Sequence, residues 1–496
     1  MWIQTLRSQW IRNQYLWITS ALFFFLSFTH VIFGVVTLCA AALLCAAIMR
    51  AHGWREVVWG SVFVGTLKAA GGILWVWHVY PLVWLNIPAG FFQIVLIGIF
   101  WFAVALAIGV GMIATGLSVY FLRKRRAWLL FLFPILFVLG EVVGSVVFSL
   151  YSLGPGSYGI AHFGFGYAGV ALGYIPIFIP FSIFGGVYAL SAVAALIGYL
   201  VYEAYYRSFA LYSVNGACVI GVILLTASAN AWVHMRSNDE VVPDAIAVVT
   251  NFESKLFATS EGYALQREEI RNAVTAASTY NPELVLLPED ARFTTSFSSS
   301  QAALAELRAH YSSGVIVDSS RTVDERGETV LRAFLYDVAR EQVHVVDKQY
   351  LVPQGEYIPY LIDMLLRLIG AEELRDAVGE NQNYVSGKQV DTSHMSREIP
   401  RVLFCFESAV PFSARTHASE TSFIVHPVSH GWFHDPWLLR PQLQRMLQIQ
   451  AVWNNVTILQ TGNLATSVRY EPDGTITYGD MLESHQYWSL YRYNES

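Results

Sequence analysis

Three reactive side chains follow one another in the C-terminal half of this 496-residue chain, each at the end of an apolar run. They are Glu289 in ELVLLPED (283–290), Lys348 in VVDKQYLVPQGEYIPY (345–360) and Cys405 in RVLFCFES (401–408). A thiol attacks only as thiolate, and a nearby carboxylate can take its proton during attack. An ammonium close by favours the thiolate and stabilises an oxyanion developing on a carbonyl substrate. A thiol also leaves more readily than an alkoxide, so an acyl group held as a thioester can pass to an amine. Singly, each residue has a plainer role: a packed core cysteine, a solvated turn glutamate, an outward-facing strand lysine. Jointly, reactive groups closing successive strands suit a site at the carboxyl edge of a sheet.

The elements that must position them alternate between strand and helix. AIAVVTN (245–251) reads as a strand and EGYALQREEIRNAVTAAST (261–279) as a helix with apolar residues at helical spacing. ELVLLPE, a helix around 301–311, GVIVDSS, and the pair ETVLRAFLYDV and EQVHVVDKQYLVP follow. RVLFCFE, TSFIVHPVS, a helix over 436–453, VTILQTGN and a hairpin around Pro472-Asp473-Gly474 complete the series. Buried strands interleaved with helices predict a layered α/β domain over 245–496.

The N-terminal half is of another kind. The chain is 54% hydrophobic and 14% charged, against about 25% charged in an ordinary soluble domain, and the apolar excess lies in 13–231. A membrane span needs about 20 apolar residues. About seven are expected: 13–29, 31–49, 56–79, 88–120, 127–150, 170–202 and 209–231. This gives a membrane domain over 1–233 and a polar linker, HMRSNDEVVPD (234–244), before the α/β domain. No small-residue cleavage site follows the first run, so no removed signal peptide is expected. Arg7, Arg12, Arg50, Arg55, the run Arg123-Lys124-Arg125-Arg126, and Arg207 fall at alternate span ends, while the connections near 30, 80–88 and 151–169 carry no Lys or Arg. Positive residues stay inside, so the α/β domain is expected on the outer face. Of four cysteines, Cys39, Cys45 and Cys218 fall in spans, leaving Cys405 as a free thiol without a disulfide partner in its domain. A net charge of −6 and the lack of a nucleic-acid motif exclude that partner class.

PELVLLPED, VVDKQYLVPQGEYIPY and VLFCFESAVPF closely resemble the three motifs of the nitrilase (carbon-nitrogen hydrolase) superfamily. Their place after a multi-span region resembles the bacterial apolipoprotein N-acyltransferases, with FPILFVLGEVVGS (133–145) and FGFGYAG (163–169) matching in the membrane half. The resemblance implies an αββα sandwich, with Glu289 as general base, Lys348 as oxyanion-stabilising cation and Cys405 as acyl-carrying nucleophile. It further implies Glu356, Glu407 and Phe406 as supporting active-site residues, Phe406 standing where the family has Tyr. The implied reaction moves a fatty acyl group from a phospholipid to the N-terminal amine of a lipoprotein, in a bacterial inner membrane, without cofactor or metal. Alternatives are a membrane-tethered amidase acting on a small C–N compound and a binding module that has lost turnover. Departures are visible. The Asn-rich segment of the family is HPVSHGWFHD (426–435) here, Trp453 stands at a family glutamate, VVTN replaces QxN, and the C-terminal span has no counterpart. Asn463 of QTGN still matches.

Three further expectations concern single features. His426, His430 and His434 recur every fourth residue, but Pro427 and Gly431 argue against a helix that would align them on a metal. IPYLIDMLLRLIG (358–370) is apolar at helical spacing, which suits either a core helix or an arm dipping into the outer leaflet, and the family resemblance implies the arm. Lys68 and Glu141, about 12 and about 14 residues from the inner ends of their spans, lie at similar depth by helical rise. A lone charge there is costly, so either each finds its own backbone carbonyl, hydroxyl or water, or the two approach one another within the bundle.

Overall fold

A computed structural model describes residues 2–82, 89–155, 160, 162–206, 221, 225–233, 235, 242–253, 256, 259–381, 383–387, 396–415, 421, 423–434 and 436–493. The N-terminal half is helical: Trp2–Ser27, Val36–Arg50, Trp54–Gly72, Phe91–Gly109, Met112–Leu122, Arg126–Tyr151 and Gly186–Tyr206 are its long elements. Among the described residues, four stretches, Val31–Arg50, Phe91–Leu122, Arg126–Tyr151 and Gly186–Tyr205, are long and apolar enough to cross a membrane.

The predicted spans are redrawn in several places; the third (56–79) is an α-helix only to Gly72 and continues as a 3-10 segment, Leu74–Val79. The fourth apolar run is two helices that meet at Val110–Gly111. The sixth, read as one overlong span, is a short helix Ala168–Leu172, a 3-10 segment Pro176–Phe184 and the long helix from Gly186. Pro176 and Pro180 lack the amide donor an α-helix needs, and Gly173, Gly185 and Gly186 punctuate the run. Hydropathy alone registers none of these breaks. Most of the seventh run (209–231) and of the linker lies outside the described residues; 225–233 is helical.

The C-terminal half is built on two joined sheets. In the first, β1 (Ala245–Thr250), β2 (Leu284–Leu286) and β3 (Val315–Val323) are parallel neighbours, and β4 (Thr329–Asp337) and β5 (Gln342–Asp347) extend it antiparallel. In the second, β6 (Arg401–Val402), β7 (Phe423–Ser429) and β8 (Thr457–Asn463) are parallel, and β9 (Val468–Tyr470) and β10 (Ile476–Tyr478) continue it antiparallel. The remaining strands, β11 (Asp480–Ser484) and β12 (Trp488–Tyr493), return to the first sheet, where β12 pairs with β1. The sheets meet where Thr250 pairs with Asn463.

Alternation within strands produces the layers. Ala245, Ala247, Leu284, Leu286 and Val317 pack with Val402, Phe404, Phe423, Val425 and Leu459 between the sheets. Ile246, Val248 and Val285 turn outward beneath helices Ser260–Ser278 and Ser300–His310. Ile424 and Ile458 turn outward beneath Leu447 and Ala451 of helix Leu439–Asn454. Helix, sheet, sheet, helix is the predicted αββα order.

That last helix also carries the sandwich onto the helical half. Leu439, Leu443, Met446, Ile449 and Val452 share one apolar cluster with Phe148, Phe163, Phe165, Val170 and Ile179. Backbone bonds reinforce the seam: Gly164 N donates to Ala409 O at 2.8 Å, Tyr360 N to Leu153 O at 2.8 Å and His434 N to His78 O at 3.1 Å. The carboxyl ends of the site-bearing strands face this seam.

Candidate active site

Glu289 leaves the end of β2 on a tightly shaped turn. Asp290 and Arg292 adopt left-handed backbone (φ 56° and 64°). Asp290 N donates to Ser319 Oγ at 3.0 Å, and Arg292 clasps the Asp290 carboxylate at 2.9 and 2.6 Å. One step further on, Asp318 accepts from the amides of Phe293 and Thr294 at 3.2 and 2.8 Å. These supports were missed in the sequence. The signal was Asp-Ser-Ser inside the apolar strand β3, because polar groups buried on a strand must have partners.

Lys348 follows β5 directly, and its amide donates to Leu331 O at 2.8 Å. Its ammonium lies 2.9 Å from Glu289 Oε1 and 2.7 Å from Glu356 Oε1, with the lysine side chain 1% exposed. Glu356 is held in turn by Val352 N, which donates to Oε2 at 2.8 Å. Gln354, at φ 61°, lets the loop fold back so that its amide reaches Tyr357 O at 2.8 Å.

Cys405 does not close a strand as expected. The strand β6 stops at Val402, and Cys405 opens a 3-10 turn, Cys405–Ala409. Glu407 shapes that turn: its Oε2 accepts from Phe404 N at 2.8 Å, while Oε1 accepts from Gln349 N at 2.7 Å and Tyr350 N at 3.1 Å. One buried carboxylate therefore clamps the cysteine turn to the lysine loop. Both of its oxygens are engaged in holding these backbone segments. The thiol is partly exposed, with Sγ 3.9 Å from Ser429 O at the end of β7.

Electrostatics divide the roles. Burial pushes the Glu289 carboxyl up to about 7; the adjacent Lys348 ammonium opposes this and Glu356 adds to it. Burial also pushes the Cys405 thiol well up, Glu289 raises it further, and Lys348 pulls it down. Lys348 is desolvated, which would lower it, yet Glu289 and Glu356 hold it well above the ordinary lysine range. A lysine fixed as a cation sits beside a thiol that stays protonated until a base acts. Glu289, in the same electrostatic cluster, has its pKa near neutrality, the range in which a carboxylate can act as a general base.

Of the sequence-derived candidates, the structure brings Glu289, Lys348, Glu356 and Cys405 into one electrostatic cluster. Glu407 supports them from behind. Phe406 is the exception: it faces the helical half, its ring 6.2 Å from that of Phe163, inside the apolar seam. Neighbouring 3-10 residues point to different sides, so adjacency to Cys405 did not fix its direction.

The departures also acquire places. Trp453 packs against Gly186 and edge-on to Tyr188, with the Arg415 guanidinium 5.5 Å from its ring. Gly186 has φ +58°, and any Cβ there would collide with the Trp453 ring. Asn463 staples the two sheets: Oδ1 accepts from Thr250 Oγ1 and Phe252 N, and Nδ2 donates to Phe252 O at 2.9 Å. The histidines do not converge. His426 Nδ1 bonds Leu403 O at 2.6 Å, whereas His434 reaches Pro81 O at 3.0 Å. Burial pushes His426 down to about 4 and His430 to about 3, so both stay neutral. Among the described residues no cluster of potential ligands could hold a metal ion.

Helix Tyr360–Leu368 follows the Glu356 loop and has no buried residue; Leu368 and Ile369 are each 73% exposed. Arg367 and Arg375 meet Asp363 on its polar side. It is therefore an amphipathic helix with an uncovered apolar face, and not a piece of core.

No protein-family model matches this chain, and no curated protein matches it. Solved structures do. A mutant amidase from Nesterenkonia sp. AN1, with the acetamide moiety of fluoroacetamide added covalently at the active-site cysteine, is 15% identical over 52% of this chain and 92% of its own, with a TM-score of 0.33. An amidase from Nesterenkonia sp. is 16% identical over 52% and 93%, with a TM-score of 0.34. A further mutant of the Nesterenkonia AN1 amidase, described as from the nitrilase superfamily, is 16% identical over 50% and 90%, with a TM-score of 0.33.

Proposed function

We propose that this protein is a membrane acyltransferase. In this reading it moves a fatty acyl group from a phospholipid, through a Cys405 thioester, to the N-terminal amine of a lipoprotein. The observation that carries it is the junction at the site. The Lys348–Glu289–Glu356 cluster beside Cys405 is followed at once by the uncovered apolar helix Tyr360–Leu368, in a chain whose N-terminal half carries helices long and apolar enough to cross a membrane. A hydrolase of small C–N compounds needs the first feature but has no use for the second.

In the proposed cycle Glu289 takes the Cys405 proton as sulfur attacks the ester carbonyl. The tetrahedral oxyanion forms against the Lys348 ammonium. Collapse breaks the carbon–oxygen bond, Glu289 returns its proton to the departing lysophospholipid hydroxyl, and a thioester remains. The acceptor amine then attacks the thioester carbon. The carbon–sulfur bond breaks, the amide forms, and the amine's surplus proton passes through Glu289 back to sulfur. No net charge is made or lost, and no cofactor is required.

The test is direct. Purified protein is incubated with a phospholipid and a diacylated lipopeptide, and the peptide is weighed by mass spectrometry. A mass increase of one acyl chain supports the reading. Hydrolysis of small amides without any acyl transfer would replace it with the tethered-amidase reading.

A further inference from the structure

The loop between helix Arg126–Tyr151 and helix Ala168–Leu172 connects the interior of the helical half to the nucleophile. Both ends of its FGFGYA segment are held by the same helix. Phe163 N donates to Ser145 Oγ at 3.0 Å, and Ala168 N donates to Glu141 Oε1 at 2.7 Å. Glu141 and Ser145 are four apart, so they stand one above the other on one helix face. The same Glu141 oxygen meets Lys68 Nζ at 2.5 Å, with side chains 1% and 5% exposed.

The middle of the loop touches both the cysteine turn and the lysine loop. Gly164 N donates to Ala409 O at 2.8 Å, the last residue of the cysteine turn, and Phe163 packs on Phe406 within that turn. His162 stacks on Tyr350 of the lysine loop, ring centres 5.9 Å apart. The contact at Gly164 is close enough that an added Cβ would lie 2.6 Å from Ala409 O. Glu407 joins the same two segments through its own hydrogen bonds. The cysteine turn and the lysine loop are thus held both by Glu407 and by residues 162–164 of the helical half.

We infer that Glu141 is a positioning residue for Cys405: as an acceptor for Ala168 N, neutralised by Lys68, it fixes the 162–168 loop and so the alignment of the thiol with Lys348 and Glu289. The catalytic assignment of Cys405 comes from the function proposed above, but the mechanical link does not depend on which substrate is used. A carboxylate at this depth without its lysine would draw in water or shift to find a partner. A neutral amide at the same position can still accept from Ala168 N, since acceptance needs an oxygen and not a charge. The device is therefore an oxygen held in place, with Lys68 present because that oxygen belongs to a carboxylate.

The experiment compares two double variants of the full chain in detergent, Lys68→Met with Glu141→Gln and Lys68→Met with Glu141→Leu. Both remove the charges, but only the first keeps the acceptor. The probe is iodoacetamide, read as the rate of alkylation of the peptide carrying Cys405, alongside thermal unfolding. We expect the Gln variant to react within about threefold of the parent, and the Leu variant at least about tenfold more slowly, the scale of a small loss of alignment. Gly164→Ala, which strains the loop at its other end, should slow alkylation like the Leu variant at an unchanged pH dependence. Equal rates for Gln and Leu variants, or a normal rate in folded Gly164→Ala, would overturn the inference. Should the Leu variant fail to fold, the Gly164→Ala rate decides. Because iodoacetamide is not the proposed substrate, absence of lipid acyl transfer with these rate differences intact would sink the proposed function and leave the positioning role standing.

Discussion

Lys68 Nζ lies 2.5 Å from Glu141 Oε1 between helices Trp54–Gly72 and Arg126–Tyr151, each side chain almost wholly enclosed. Phe24 and Phe137 flank the ammonium, at 6.0 and 5.5 Å from their ring centres. Among the described residues, the second carboxylate oxygen of Glu141 is buried without a hydrogen-bond partner. Removing one member strands the other, which for buried pairs costs about 3–5 kcal/mol. Lys68→Met alone should therefore destabilise strongly, and adding Glu141→Gln should recover most of the loss. Thermal unfolding of the two single variants and the double variant measures this; simple additivity of the losses would disprove the coupling.

Cys405→Ser should abolish acyl transfer while leaving the fold intact. The hydroxyl is far less acidic than the thiol, and burial raises even the thiol. Mass spectrometry of protein incubated with phospholipid should show no acyl adduct. Turnover by the serine variant near the parent rate would remove the thioester from the mechanism.

Glu289→Gln and Lys348→Met should each slow acyl-enzyme formation about 10²-fold or more, the scale of a lost base or oxyanion donor. The two should differ in one respect. Lys348→Met leaves Glu289 and Glu356 facing each other without their shared cation, so it alone should also lower the unfolding temperature markedly.

The pH profile follows from Glu289. Its folded-state pKa of about 7 lies above its ordinary value of 4.5, so the base is ionised only above neutrality and kcat/KM should rise through pH about 7. The sign for stability is opposite: the folded form binds the proton more tightly, so stability falls as pH climbs from about 4.5 to about 7. Glu356→Gln removes a like charge and should move the rising limb to lower pH. A limb that stays put, or moves up, contradicts the assignment of that titration to the cluster.

Leu365 and Leu368 face outward on the amphipathic helix. Replacing both with Asp should impair use of a long-chain phospholipid at least about tenfold more than use of a short soluble thioester. Burying the pair would return roughly 1.5–3 kcal/mol for each side chain. Equal loss with both donors would assign the helix a purely structural part.

What the sequence determined by itself was short-range. Alternating apolar residues announced β1 through β5, β7 and β8, helical spacing announced helices Ser260–Ser278 and Leu439–Asn454, and Glu289, Lys348 and Cys405 stood out as reactive groups after successive apolar runs. The amphipathic spacing of 360–368 was legible too, but only the tertiary structure decided that its apolar face stays uncovered. Depth counting along two apolar runs put Lys68 and Glu141 at one height, but only helix packing turned them towards each other. Breaks at Val110–Gly111 and Pro176–Phe184 escaped hydropathy, which averages over the glycines and prolines that end helices. Tertiary structure alone decided that Glu407 grips Gln349 and Tyr350 while Phe406 turns to Phe163. It also placed Ala168 N against Glu141 and Thr250 against Asn463. Propensity and periodicity act over a few residues, whereas these contacts join segments far apart in the chain, and a one-residue turn in a 3-10 segment redirects a side chain to the other face.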